Sequence, residues 1–172
     1  MTNPWSVPVR LVEVGRHGLD LALEADEAQR KRIAAALGLP VVHAFTAKAA
    51  LKPWLDGVEL IARWRASVAY TCGVTVEQFD SELSGEFTVR AVLEGSPNAP
   101  AEEAESVFDL EAEDPPDVLA EEAIDVGDYL VEHLALELDP FPRKPGAVFE
   151  PPAAETPASP FAVLRDFKPK PN

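Results

Sequence analysis

The sequence predicts an α+β fold in which a strongly curved antiparallel sheet of five or six strands is covered by two main helices. Two long stretches alternate apolar and polar residues, from Val58 to Cys72 and from Phe79 to Leu93, which is typical of a half-buried hairpin. Two other segments place apolar residues at helical spacing. Gly85, in the middle of the second long strand, predicts a bulge or sharp bend, and such curvature would permit barrel-like closure.

Shorter strands precede this hairpin. Residues 7–14 and 19–24 alternate in the same way and predict two strands, and residues 41–51 predict a third of extended, alanine-rich character. The dipeptide Asp56-Gly57 suits the positive φ angles of a tight hairpin turn between the third strand and the long hairpin. One side of the third strand is expected to carry Val41, His43 and Phe45.

Both helices have recognisable ends. Asp26 followed by Gln29 predicts an N-cap with a reciprocal side chain, and Gly38 stands where a left-handed C-terminal cap is expected. Asp125 predicts the N-cap of the second helix, and Pro140 prevents its continuation.

The chain divides into a folded domain and a tail. Residues 1–142 are predicted to form a single α+β domain with an acidic loop at about 95–118. Residues 143–172 are predicted to be an irregular proline- and alanine-rich linker that ends in an apolar motif, since five of the 17 prolines lie between Pro145 and Pro160. The motif is a candidate docking site for a partner, or it folds back onto its own domain, and its apolar residues are Phe161, Val163 and Leu164.

Several features predict a cytoplasmic protein without a membrane anchor. The first residues lack the apolar core of a signal peptide, and the longest apolar run is too short to span a bilayer. A single cysteine excludes an internal disulfide framework.

The net charge of −15 is unevenly distributed. Residues 91–142 carry 16 acidic residues and neither Lys nor Arg, whereas residues 1–90 are close to neutral. A negative field of this kind repels phosphate backbones and attracts basic surfaces, so the predicted partner is a basic protein and RNA contact is indirect or weak. The candidate partner-binding residues of the acidic segment are Glu102, Glu103, Glu105, Asp109, Glu111, Glu113 and Asp114.

No catalytic constellation is recognisable in the sequence. The histidines His17, His43 and His133 lack the short spacing of metal ligands, and phosphate-binding glycine loops are absent, so we expect no metal and no cofactor. A small hydrolase using Cys72 or His133, the latter beside Glu132, is the enzymatic alternative. The purely structural interpretation is that the Cys72 thiol is buried and that His133 is packed or solvated. This interpretation predicts a protein that is not an enzyme.

Direct RNA binding through the sheet is the second alternative. A small basic patch would be needed, whereas RNA-binding sheets also expose aromatic residues on the same face, and here Trp64 and Tyr70 alternate to the other side. Cross-strand pairing of the arginines with Glu82 or Glu86 is the structural explanation for the same residues. The RNA-binding candidates are Lys48, Lys52, Arg63, Arg65 and Arg90.

From about residue 58 onward the order of short motifs resembles the YceD family of large ribosomal RNA subunit accumulation proteins. The resemblance starts with the long hairpin and its Tyr70-Thr71-Cys72-Gly73, continues through the acidic loop and the helix opened by residues 124–128, and ends with residues 160–164 before a basic tail. It implies a ribosome-biogenesis factor that supports 23S ribosomal RNA accumulation, with no established catalytic activity.

By this resemblance, the basic partner would be a ribosomal protein or assembly factor of the large subunit. Many relatives carry a C-x-x-C at the hairpin turn and a further cysteine after the second helix. Here Thr75 stands at the position of the second cysteine of that motif, and no cysteine follows Pro142. A metal or redox role of those relatives therefore does not transfer to this chain.

Overall fold

A computed structural model describes residues 3–100 and 114–149 of the chain. Within these residues, no helix combines the length and the apolar character that a bilayer crossing needs. The helices and strands, in chain order, are β1 (Pro8–Arg10), α1 (Leu11–Val14), β2 (Leu19–Glu24), α2 (Glu27–Leu37), β3 (Val41–Trp54), β4 (Gly57–Thr71), β5 (Gln78–Leu93), β6 (Asp117–Leu119), β7 (Ala123–Asp125) and α3 (Val126–Glu137).

The fold is α+β, as predicted, and its main sheet has five strands in the order β2-β3-β4-β5-β6. The pairs from β2 to β5 are antiparallel, whereas β6 pairs with β5 in parallel, so the sheet is mixed. β6 begins at the end of the segment predicted to be a loop, at about 95–118. Among the described strands, β2 and β6 remain at opposite edges, so barrel-like closure is not confirmed. A separate two-stranded sheet pairs β1 with β7.

The long hairpins follow the predicted alternation closely. β4 and β5 pair in unbroken register from Val58 opposite Ala91 to Thr71 opposite Gln78. The turn between β3 and β4 also lies where the sequence predicts it, but the residue with a positive φ angle is Leu55, at 50°, and Gly57 already belongs to β4.

The prediction that Gly85 produces a bulge or a sharp bend in the strand was wrong. Gly85 pairs opposite Trp64 without a register shift, and a Cβ atom at this position would lie only 2.8 Å from the indole ring. Glycine is therefore required to make room for a buried tryptophan, and not to bend the strand. The irregularity lies instead in β3, between Val42 and Ala44.

Because of this β3 bulge, the prediction that Val41, His43 and Phe45 share one side of the strand was wrong. The extra residue interrupts the alternation, so that Val42 and Phe45 are buried, whereas Val41 and His43 are exposed. The other difference lies at the N-terminus, where β1 is only three residues long and residues 11–14 form the short helix α1 rather than more strand.

Both main helices begin and end as predicted. In α2, the Asp26 side chain accepts a hydrogen bond from the Gln29 backbone N–H at 2.8 Å, the Gln29 side chain accepts one from the Asp26 N–H, and Gly38 is left-handed. In α3, the Asp125 carboxylate accepts from the N–H groups of Gly127 and Asp128. The same carboxylate accepts hydrogen bonds from three groups of the N-terminal segment, namely the Asn3 side chain, the Ser6 hydroxyl and the Val7 N–H.

One face of the sheet, here called the inner face, carries the core. Residues of α2 and α3, among them Ile33 and Leu130, belong to one buried cluster with the inward-pointing residues of β3, β4 and β5. Trp5 contacts Phe45, with ring centroids 5.0 Å apart, and Phe45 meets Trp64 edge to face at 5.9 Å. The opposite face, here called the outer face, carries the polar residues of the same strands.

Candidate functional site

The predicted basic residues all lie on the outer face, and the strand register divides them into two groups. Lys48 of β3 stands directly opposite Arg63 of β4, and Arg65 follows on the same face two residues further along. Lys52 and Arg90 lie nearer the other end of the sheet, where Glu59 of β4 stands between them in register. We call these five residues the basic stripe.

The pairing of the stripe with acidic residues is partial. Arg63 contacts Glu86 at 3.0 Å and Arg90 contacts Glu59 at 3.1 Å. The Glu86 pair was predicted, but Glu82 is opposite Ser67 and not opposite an arginine. The side chains of Lys48, Lys52 and Arg65 form no ion pair with any residue that the structure describes. Positive charge therefore remains available at Lys48 and Arg65.

The first group of the stripe borders an open groove of about 680 Å³. Its walls include Lys48, Arg63 and Arg65, and among the described residues Glu24 is the only acidic one that lines it. Acidic residues flank the groove on both neighbouring strands, with Asp20 on β2 and Glu86 on β5, so the positive charge is confined to the middle of the sheet. The remaining lining residues are Ala22, Leu23, Thr46, Ala47 and Trp64.

Trp54 adjoins the basic stripe, and the sequence did not predict this contact. The Arg90 guanidinium lies 5.2 Å from the ring centroid of Trp54, at the end of β3. Trp64 and Tyr70 are buried on the inner face, as their alternation predicted. Only the register of β3 against β4 and β5 brings Trp54 beside Arg90, and no local motif signals it.

On the inner side of the sheet, α3 and the segment before it form an acidic surface. We define this acidic face by the exposed residues Asp117, Glu121, Glu122, Asp128 and Glu132. A cleft of about 440 Å³ runs between the segment and the helix, and four carboxylates line it, from Glu121, Asp125, Asp128 and Glu132.

Tyr129 fixes the two sides of this cleft together. Its hydroxyl donates a hydrogen bond to Asp117 at 2.7 Å. Burial and the neighbouring Asp117 raise the pKa of Tyr129, so the phenol stays protonated and keeps donating. This hydrogen bond therefore joins the segment before α3 to the helix, while the carboxylates of the acidic face are open to solvent.

Cys72 lies in a hydrogen-bonded turn after β4. The thiol is buried, and its Sγ lies 3.4–3.5 Å from the backbone nitrogens of Val74, Thr75 and Lys144, which donate to it. A side-chain hydrogen bond from Thr75, with the N–H groups of Lys144 and Thr75, lowers the pKa of Cys72 to about 6. The prediction of a small buried side chain is confirmed, but the sequence did not reveal that N–H donors surround it.

The same turn anchors the chain that follows α3. The Gly73 N–H donates to the Pro142 carbonyl at 2.9 Å, and the Lys144 ammonium contacts Glu77 at 2.9 Å. Together with the Lys144 N–H to Cys72, these contacts connect residues 142–144 to the turn between β4 and β5. The role of Cys72 in this geometry is to accept hydrogen bonds that hold two loops together.

The structure does not bring Cys72 and His133 together. His133 stacks on Phe87, with centroids 3.8 Å apart and planes 5° from parallel, and burial lowers its pKa. Phe87 is nine residues along β5 from Gln78, which pairs beside Cys72, and that separation is about 30 Å at 3.3 Å per residue. A Cys–His hydrolase site is therefore not formed by these residues.

The other histidines also stand apart. His43 contacts Asp80 at 3.0 Å on the exposed end of the sheet, and His17 lies in the turn before β2. Among residues 3–100 and 114–149, no group of three potential ligands is positioned to hold a metal ion.

Most of the predicted partner-binding residues lie outside the described residues. Of the acidic candidates only Asp114 is described, and it is exposed at the start of the segment that leads into β6. The candidates outside the described ranges are Glu102, Glu103, Glu105, Asp109, Glu111, Glu113, Phe161, Val163 and Leu164.

The fold and these surfaces define an α+β protein whose candidate binding groups are a basic stripe and an acidic face on opposite sides of one sheet. A family model described as large ribosomal RNA subunit accumulation protein YceD matches residues 60–168. The chain therefore belongs to the YceD family. No curated protein and no solved structure matches it at a significant level.

The family match confirms the resemblance to the YceD family that the motifs from about residue 58 onward indicated. The match covers the long hairpin, the acidic segment, α3 and the C-terminal motif. The family name implies a role in the accumulation of large-subunit ribosomal RNA, and the family is not known for an enzymatic activity.

Proposed function

We propose that this protein supports 23S ribosomal RNA accumulation as a non-enzymatic adaptor that holds a basic ribosomal protein or assembly factor of the large subunit. The observation that carries the proposal is the acidic face beside α3, in a segment of the chain without a compensating base. Residues 91–142 contain 16 acidic residues and no Lys or Arg, so this segment supplies no base of its own to neutralise the surface.

The geometry of the acidic face favours a protein ligand. Glu121, Asp128 and Glu132 of this face line a cleft beside the Tyr129–Asp117 hydrogen bond, and carboxylates grouped in this way can pair with Arg or Lys side chains. The negative field also accelerates the encounter with a positively charged partner at low salt. RNA contact by this face is disfavoured for the same reason, because phosphates carry the same charge.

The proposal extends to the segments next to the described ranges. Glu102, Glu103, Glu105, Asp109, Glu111 and Glu113 precede Asp114 in sequence and add negative charge to the same partner site. We further propose that residues 1–142 act as one domain, and that residues 143–172 serve as a linker ending in a docking motif of Phe161, Val163 and Leu164.

The experiment is a pull-down of the tagged chain from extract of the cells that encode it, read by mass spectrometry with and without nuclease. The test variant neutralises three residues of the acidic face, Glu121→Gln, Asp128→Asn and Glu132→Gln. Its matched control removes three exposed carboxylates that line neither the acidic cleft nor the basic groove, and it carries Glu13→Gln, Glu27→Gln and Asp80→Asn.

We expect a basic large-subunit protein to be retained after nuclease by the wild-type chain and the control, and to be lost from the test variant. Equal retention by both triple variants would contradict the role of the acidic face. Capture of no basic large-subunit protein by the wild-type chain at moderate salt would overturn the adaptor proposal itself.

A further inference from the structure

A second binding site is indicated by like charges that the sheet places together. Lys48 and Arg63 stand directly opposite each other on antiparallel strands, a position in which their Cβ atoms are about 5 Å apart. Arg65 projects from the same face of β4, about 7 Å from Arg63. Like charges directly opposite each other destabilise a sheet, so an anion that binds among them would relieve the repulsion.

The surrounding side chains leave room for such an anion. Ala22 and Thr46, both small and exposed, flank the cations, and the groove they border has a volume of about 680 Å³. Within residues 3–100 and 114–149, Glu24 is the one carboxylate that lines this groove, against three cations. The local charge is therefore positive, although the chain as a whole carries −15.

The existing ion pair of Arg63 does not close the site. Arg63 and Glu86 have side chains that are 79% and 71% exposed, and a pair of this kind contributes little to stability because water screens it. An incoming anion can therefore share Arg63 at small cost. Lys48 and Arg65 have no ionic partner among the described residues.

We propose that Lys48, Arg63 and Arg65 form a binding groove for the phosphodiester backbone of RNA. Guanidinium groups bind phosphate through two parallel hydrogen bonds, and two arginines spaced along one strand face can contact successive phosphates. Trp64 is the one aromatic residue among the described residues that line the groove, and it is buried, so the proposed contact is to the RNA backbone and does not read the bases.

This groove lies on the opposite side of the sheet from the acidic face, so the two proposals fail separately. The charge pattern also restricts the RNA to a narrow path along β3 and β4, because Asp20 and Glu24 on one side and Glu82 and Glu86 on the other repel it. Binding is therefore expected to be salt-sensitive and to involve few phosphates.

The test is fluorescence anisotropy with the full chain and a labelled oligouridylate, which cannot form a duplex, over a range of salt concentrations. Three phosphate contacts on a single strand predict a slope of log K against log salt of about −2. Lys48→Gln and Arg65→Gln should each make the slope shallower by about 0.7, which at 0.1 M salt corresponds to roughly fivefold weaker binding. The matched control is Arg10→Gln, an exposed arginine on a strand of the second sheet.

Circular dichroism and the urea midpoint of each variant establish that it is folded. Absence of binding at low salt, or an equal loss for Arg10→Gln, would overturn the proposal. Competition by a poly-glutamate of equal charge, as effective as unlabelled oligouridylate, would also overturn it and assign the groove to an acidic peptide. Slopes that change only for Lys48→Gln and Arg65→Gln, with weak competition by poly-glutamate, would support it.

Discussion

Replacing Gly85 with alanine tests the account of the central hairpin. The new Cβ atom would lie 2.8 Å from Cζ2, 2.9 Å from Cε2 and 3.0 Å from Nε1 of the Trp64 indole, whereas ordinary contacts begin near 3.4 Å. Trp64 cannot move aside easily, because it is only 3% exposed and meets Phe45 edge to face. The methyl group therefore has to displace a packed ring.

The expected magnitude follows from two opposing effects. Overpacking a buried site destabilises by about 1–3 kcal/mol. Replacing glycine restricts the unfolded chain and stabilises by about 0.4–1 kcal/mol. The net loss for Gly85→Ala should therefore be about 1–2 kcal/mol. Gly73→Ala is the matched control, since its Cβ would meet nothing closer than 3.7 Å, and we expect it to change stability by less than about 0.5 kcal/mol.

Urea unfolding of four proteins measures the effect: the wild type, Gly85→Ala, Trp64→Phe and the double variant. Phenylalanine removes the indole atoms that the new methyl group would contact. The loss in free energy of unfolding of the double variant should therefore be smaller than the sum of the two single losses, by about 1 kcal/mol or more. An additive result, or a stabilising Gly85→Ala, would refute the explanation that Gly85 exists to accommodate Trp64.

Three further predictions concern single side chains. Asp125→Ala removes the N-cap of α3 and the acceptor for the N-terminal segment, so the free energy of unfolding should fall by about 2–4 kcal/mol in urea titrations, with a smaller loss for Asp125→Asn. Because the pKa of Cys72 is about 6 in the folded chain, below about 8.5 in an unfolded one, the stability it contributes is fully present above about pH 8.5 and is lost as the pH falls toward 6. Cys72→Ser should flatten this part of the curve of urea midpoint against pH, and an unchanged curve would show that the thiolate does not hold Lys144. Burial lowers the pKa of His133, so wild-type stability should also fall as the pH drops below about 6.5, and His133→Phe, which can stack on Phe87, should reduce that loss between pH 7 and pH 5.

Local signals were enough for the elements whose pattern is uninterrupted. The alternation in β4 and β5, and the capping residues Asp26 and Asp125, predicted those strands and helices because each signal depends on neighbouring residues alone. The β3 bulge shifts the alternating pattern by one residue, and the short helix α1 ends the alternation of the first strand early. The sequence does not show where either change occurs. Glycine is needed at position 85 because of the Trp64 side chain, which is 21 residues away in sequence.

The candidate sites show the same limit. The sequence predicted that the five cations of the basic stripe could form one patch, whereas the register divides them into two groups, with Lys48 opposite Arg63 and with Glu59 between Lys52 and Arg90. The N–H donors around Cys72 come partly from Lys144, and a contact across 72 residues leaves no trace in local pattern. The negative charge of residues 91–142 was evident from the sequence, whereas the cleft beside α3 and the hydrogen bond from Tyr129 to Asp117 were not.

The most direct test of the central claim is the ratio of 23S to 16S ribosomal RNA in cells depleted of this protein and complemented with variants. We predict that depletion lowers the ratio, that the wild-type chain and the control triple variant restore it, and that the Glu121→Gln, Asp128→Asn and Glu132→Gln variant does not. A ratio that stays unchanged on depletion would contradict a role in large-subunit RNA accumulation, and full restoration by the acidic-face variant would contradict the proposed mechanism.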